Sequence, residues 1–84
     1  MTQVELHDAA RRQPFIPFRV ILTTGATHDI RHPDLIMVGN RSATIGLTKD
    51  ENGTAYDRTT IVDLLHVVGI EMMPVSSSST NGPA

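Results

Sequence analysis

The sequence predicts a mainly β, α+β domain: an N-terminal helix followed by a five- or six-stranded, strongly bent antiparallel sheet or a small barrel. Three observations carry this. A capping signal opens the chain at Thr2, five or six short β-branched runs follow with turn residues between them, and no helical patterns alternate with those runs. Alternation of helices and strands is what a parallel α/β sheet would need. A bent or closed sheet suits short strands because closure hides the free edges.

The helix is read from Thr2-Gln3-Val4-Glu5. A hydroxyl three residues before Glu lets each side chain satisfy a backbone N–H that the new helix leaves unpaired. The helix is expected over residues 3–12, with Val4, Leu6, Ala9 and Ala10 as its apolar positions. Arg11 and Arg12 fall in its last turn, where cations favour the helix dipole, and Pro14 ends it. The prolines of Pro14-Phe15-Ile16-Pro17-Phe18 hold the next stretch extended. Phe15 and Phe18 read as core anchors joining helix to sheet, because a chain with so few aromatics can hardly leave two exposed. A proline-rich ligand for a partner domain is the alternative for this stretch.

Phe18 to Leu22 is the first strand, and Thr23-Thr24-Gly25-Ala26 the turn, with Gly25 free to take a positive φ. Because Ile21 stands between Val20 and Leu22, this strand is expected to be covered on both faces, by the helix, a second sheet or another subunit. Thr27 to Arg31 returns with one face wet, and His32-Pro33-Asp34 breaks it. Leu35 to Val38 is a short buried run, Gly39-Asn40 turns the chain, and Ser42 to Thr48 alternates as a strand. Lys49 to Gly53 is a polar loop ending in the turn pair Asn52-Gly53. Thr54 to Val62 reads as a strand, Asp63 to His66 as one helical turn, and Val67 to Met73 as the last strand, stopped by Pro74. One domain over residues 1–75 is therefore expected, with a disordered tail over 76–84, where no apolar side chain large enough to anchor the chain occurs.

Length and composition narrow the functions. The chain has 84 residues, enough for one core of marginal stability. Domains of this size often need disulfides, metals or subunit contacts, and the chain has no cysteine. Disulfides, cysteine-ligated zinc and a cysteine nucleophile are excluded, which raises oligomerisation as an expectation. Seven basic residues face nine acidic ones, for a net charge of −2, which is not the footprint of a general nucleic-acid binder. The N-terminus lacks the basic start and apolar run of a signal peptide, and no stretch has the length of a membrane span. A cytoplasmic protein without membrane or DNA partners is expected.

No motif fixes a chemistry. His28 and His32 are four apart, but their surroundings read as strand and turn, so a metal site with His28, His32 and His66 would need tertiary structure to assemble it. Asp29, Asp34 and Asp63 are the carboxylates that could join them. Asp63 and His66 could form a hydrogen-bonded pair of the hydrolase kind, yet no nucleophile elbow is present, and Asp63 equally suits the cap of the turn that begins there. The glycines are spaced singly and make no phosphate loop; Met37, Met72 and Met73 suit the core or an interface. No cofactor is implied, and an enzyme is not expected.

Phe15-x-Pro17-Phe18-Arg19, Leu22-x-x-Gly25, His32-Pro33-Asp34 and Asp63-Leu64-Leu65-His66 with Ile70-Glu71 together resemble a group of small bacterial proteins of unknown function, over residues 14–71. The resemblance brings no activity, and it draws attention to His32 and His66. The order of elements is also similar to the Sm-like RNA-binding barrels, with Val20 to Val38 and Ile61 to Ile70 laid over their first hairpin and last two strands. At the second glycine of that plan stand His28-Asp29-Ile30, and at its Arg-Gly pair Asp63-Leu64, departures that bear on RNA binding more than on the fold.

The leading expectation is thus a non-enzymatic protein-interaction or assembly module that pairs through strand edges, with a partner protein or with copies of itself. Sm-like RNA binding is the first alternative, with Arg19, Arg31, Arg41 and Arg58 as phosphate contacts, and a small His-dependent metal protein the second.

Overall fold

The computed structural model describes residues 1–50 and 53–73. The expected disordered tail over 76–84, Pro74 and Asn52 lie outside the described residues. The elements are α1 (Gln3–Ala10), β1 (Phe18–Leu22), β2 (Thr27–Ile30), a 3-10 turn (Pro33–Leu35), β3 (Ile36–Val38), β4 (Ser42–Leu47), β5 (Arg58–Asp63), a second 3-10 turn (Leu64–His66) and β6 (Val67–Met72).

The capping box forms as its spacing requires. Thr2 N and Oγ1 donate to Glu5 Oε1 at 3.0 and 2.9 Å, and Glu5 N donates to Thr2 Oγ1 at 3.2 Å. The helix stops at Ala10, short of the expected residue 12. Arg11 takes the C-cap position, and its guanidinium donates to the carbonyls of Pro33 and Ile36 at 3.0 and 3.1 Å. The cation thus ties the helix end to the chain entering β3. Leu6, Ala9 and Ala10 are buried, whereas Val4 is 62% exposed, so the apolar stripe is narrower than the sequence suggests.

Among the described residues six strands form, but in two three-stranded antiparallel sheets, ordered β2-β1-β6 and β3-β4-β5, that do not close into one barrel. The chain passes from the first sheet to the second at His32–Leu35, where Pro33 begins the 3-10 turn. It returns through the second 3-10 turn, where Asp63 Oδ1 accepts from Leu65 N at 2.9 Å. Asp63 therefore serves as the cap.

Period-two alternation gives each sheet an inner and an outer face. Phe18, Val20 and Ile30 of the first sheet and Ile36, Ala43, Ile45 and Val62 of the second meet Leu6, Ala9 and Ala10 in one core. Phe18 is fully buried, and Phe15 packs half-buried beside it with ring centroids 6.1 Å apart. The two rings thus do join helix and sheet. Ile21 faces outward opposite Thr27 and Gly69, half-buried, so β1 is not fully covered on its second face.

β5 starts at Arg58 rather than Thr54. Asp57 N donates to Leu47 O at 2.8 Å and closes the connection there, and the preceding residues bend so that Tyr56 lies against Gly46. A Cβ at Gly46 would come within 2.9 Å of Tyr56 Cβ, which makes glycine the residue that admits this close approach. Among the described residues no helix is long and apolar enough to cross a membrane.

Candidate functional site

The turn at Gly25 sets the β1–β2 register, placing Arg19 opposite Asp29; β6 adds Glu71 on its other side. The outer face of the first sheet thus carries a row Asp29–Arg19–Glu71. Arg19 Nε donates to Asp29 Oδ1 at 2.8 Å and Nη1 to Glu71 Oε1 at 3.4 Å. The hydrogen bond to Asp29 first, and then the charge of that carboxylate, hold the Arg19 guanidinium above its ordinary pKa. Arg31, just past β2, donates to the other Asp29 oxygen at 3.5 Å. Arg58, at the start of β5 opposite Leu47, makes no hydrogen bond or ion pair among the described residues.

These three arginines border one open depression of about 330 Å³, lined also by Thr27, His28, Leu35, Gly46, Leu47 and Thr48. Three of the four arginines singled out from the sequence therefore come together. Arg41 does not; it lines a separate depression beside Gln3, Asn40, Asp63 and Leu65.

The three histidines are not gathered. His28 lies half-buried on β2 opposite Val20, His32 stands at the start of the first 3-10 turn, and His66 lies exposed in the second. His28 and His66 border one depression with Leu22, Ile61 and Asp63, and His66 Nδ1 is 3.5 Å from Thr23 Oγ1. His32 is not part of it. Among the described residues no three His, Asp or Glu side chains come together in a way that could hold a metal ion.

A different surface draws on the apolar residues. The register aligns Met37, Thr44 and Ile61 across the outer face of the second sheet, with Met37 and Ile61 each 69% exposed. Met37, expected in the core or at an interface, is excluded from this chain's own core. Of the four sheet edges, β2 is four residues long and carries Asp29, and β3 is three residues long and packs against α1. Both are protected in the ways that natural edges usually are. The edges of β5 and β6 are six residues each, and no strand pairs with them among the described residues. Between Arg58 and Asp63, β5 reads Thr-Thr-Ile-Val without a charge. On β6, Val68 is the extra residue of a bulge against β1 and is 62% exposed.

Sequence reasoning missed these two edges, because strand order decides which strands are outermost and no local pattern states it. It also missed Thr27, Thr48 and Asp29 beside the arginines. The hairpin turn holds a signal for Asp29, since a turn centred on Thr24 pairs Arg19 with Asp29 directly. No protein-family model matches the chain, and no curated protein or solved structure matches it significantly.

Proposed function

We propose that this chain is a non-enzymatic assembly module whose copies join by strand addition, the β5 edge of one copy pairing with the β6 edge of the next. The observation that carries this reading is the contrast between edges: two short and charged or covered, and two of six residues with no strand beside them among the described residues, uncharged over 59–62 of β5 and 67–70 of β6, although the Met1 ammonium donates to Val67 O at the start of β6. An open edge presents a row of backbone donors and acceptors to any matching strand. Two different open edges favour a head-to-tail contact, because a two-fold pairing of β5 with itself leaves β6 uncovered. Head-to-tail contacts make rings when the rotation closes.

The crossing of the chain between sheets, at the first 3-10 turn and again at the second, supports an Sm-like plan for the assembled form. Self-assembly is favoured over RNA binding by the aromatic inventory. Phe18 is buried and Phe15 packs on the core, leaving Tyr56 alone to stack on a base.

Sedimentation equilibrium of the full chain over a wide concentration range tests the proposal. Reversible association beyond a monomer, weakened by a charge placed on the β5 edge, is the expected result. A monomer at every concentration removes the reading.

A further inference from the structure

We infer that the depression between β2 and the start of β5 is a binding site for a small phosphate-bearing molecule. The inference stands independently of the assembly reading, since it rests on side chains around a depression and not on strand edges.

Charge distribution is the first ground. The chain as a whole is acidic, yet three of its seven basic side chains border this one depression and only one of its nine acidic side chains does. Guanidinium groups are the side chains whose planar fork matches phosphate oxygens two at a time. The single acid, Asp29, does not cancel them. It accepts from Arg19 Nε and Arg31 Nη2, which fixes two guanidinium groups relative to each other; Arg19 Nη1 is taken by Glu71, so Arg19 Nη2 and the Nε and Nη1 groups of Arg31 are the donors left over. Arg58 uses none of its donors among the described residues.

Hydroxyl chemistry is the second ground. Thr48 Oγ1 accepts from Asp50 N at 3.1 Å, so its own proton is free to be donated. Thr27 adds a second hydroxyl on the opposite rim. Arginine forks with threonine donors suit a tetrahedral oxyanion better than a flat carboxylate. The volume of about 330 Å³ is at the small end for ligand pockets, which selects a compact ligand over a polymer. Three guanidinium groups against the carboxylates of Asp29 and Glu71 leave a net positive charge, which favours an anion.

Isothermal titration of the full chain with inorganic pyrophosphate, and separately with glycerol phosphate, tests this at fixed ionic strength. Saturable binding of pyrophosphate at one site per chain is expected, with sulfate weaker. Saturation by glycerol phosphate as well assigns the site to phosphomonoesters; saturation by pyrophosphate alone assigns it to diphosphates. Arg58→Ala is expected to weaken binding by about tenfold or more, the scale of one lost charge-assisted hydrogen-bonding group. Arg41→Ala, altered at the separate depression, is expected to leave it within about twofold of the parent. A circular dichroism melt of each variant keeps a folding defect from being read as lost binding. Three results overturn the inference: no saturation by either ligand, equal weakening by Arg58→Ala and Arg41→Ala, or a single-stranded oligoribonucleotide that binds more tightly per phosphate than pyrophosphate.

Discussion

Replacing Ile61 by Lys tests the assembly proposal with a magnitude that also reports the geometry of the contact. Ile61 is 69% exposed in the single chain, so most of its apolar surface is still available to be covered. Full burial of such a side chain stabilises by about 1.5–3 kcal/mol, and two-thirds of that is about 1–2 kcal/mol. Its loss weakens each contact by roughly 5- to 30-fold in Kd. A head-to-tail contact between β5 and β6 contains one Ile61. A two-fold contact between two β5 edges contains two, and the loss is then roughly 30- to 900-fold. The fold should hardly notice, since an exposed substitution of this kind usually shifts stability by about 0.5 kcal/mol or less. Val4→Lys is the matched control: Val4 is 62% exposed but sits on α1, on neither open edge. Sedimentation equilibrium of the parent and both variants gives the three constants, and urea denaturation confirms that all three fold. Equal weakening by Ile61→Lys and Val4→Lys would refute strand addition at β5 and point to general surface stickiness.

Three further outcomes follow from the fold. Leu6→Ala removes the fully buried side chain by which α1 is held to the sheets. It should cost about 2–5 kcal/mol in urea denaturation, a large part of the roughly 0.05–0.15 kcal/mol per residue that a domain possesses; a cost near that of Val4→Ala would mean the helix is not docked as described. Gly25→Ala tests backbone alone, since φ is +90° and nothing lies within 4 Å of an added Cβ. It should destabilise by about 1–2 kcal/mol through the left-handed conformation, and a neutral result by thermal melting would contradict the turn. Glu5 supplies a pH dependence, because its backbone hydrogen bond from Thr2, and then that from the Thr2 hydroxyl, hold its pKa below the ordinary 4.5. A lowered folded pKa gives stability that is present above the ordinary value and is lost as pH falls through the folded one. Denaturation curves across acid pH should show a shallower loss in Glu5→Gln than in the parent.

Local chemistry made part of this molecule legible. The capping box at Thr2 and Glu5, the break at His32-Pro33, the positive φ of Gly25 and the cap at Asp63 all follow from residues within a few positions of one another. The motifs singled out in the sequence between Phe15 and Glu71 overlap these same positions. Phe18 fills the core, Pro17 O accepts from Met73 N, Pro33 opens a turn, Asp63 caps another and Leu64 is buried. Those motif residues hold the scaffold, which explains why the pattern suggests a fold and no reaction. Three features escaped because they depend on where distant segments meet. The helix ends early because Arg11 reaches Pro33 and Ile36, β5 starts late because Asp57 closes onto Leu47, and Arg19, Arg31 and Arg58 converge from three separate elements.

The same distance from local pattern explains why the sheets stay apart and what that entails. A closed barrel spends every strand edge within one chain. Here each sheet has three strands, the first ending in β6 and the second in β5, and a single 3-10 turn joins those two strands. The turn sends β5 and β6 into different sheets. With no cysteine to cross-link so small a core, contact between copies is one source of added stability that the proposed assembly would supply. Exposed apolar residues suited to such contact are Ile61 and Met37 on the second sheet and Val68 at the bulge of β6, beside uncharged runs over 59–62 of β5 and 67–70 of β6. Polar patterning elsewhere is correct for a solvated surface, with Asp29 and Arg31 guarding β2 and α1 lying on β3. Exposed apolar side chains also occur at Val4 on α1, Tyr56 before β5 and Leu65 in the second 3-10 turn, but Met37, Thr44 and Ile61 line up across the sheet beside the β5 edge, a surface that pairing between copies would cover.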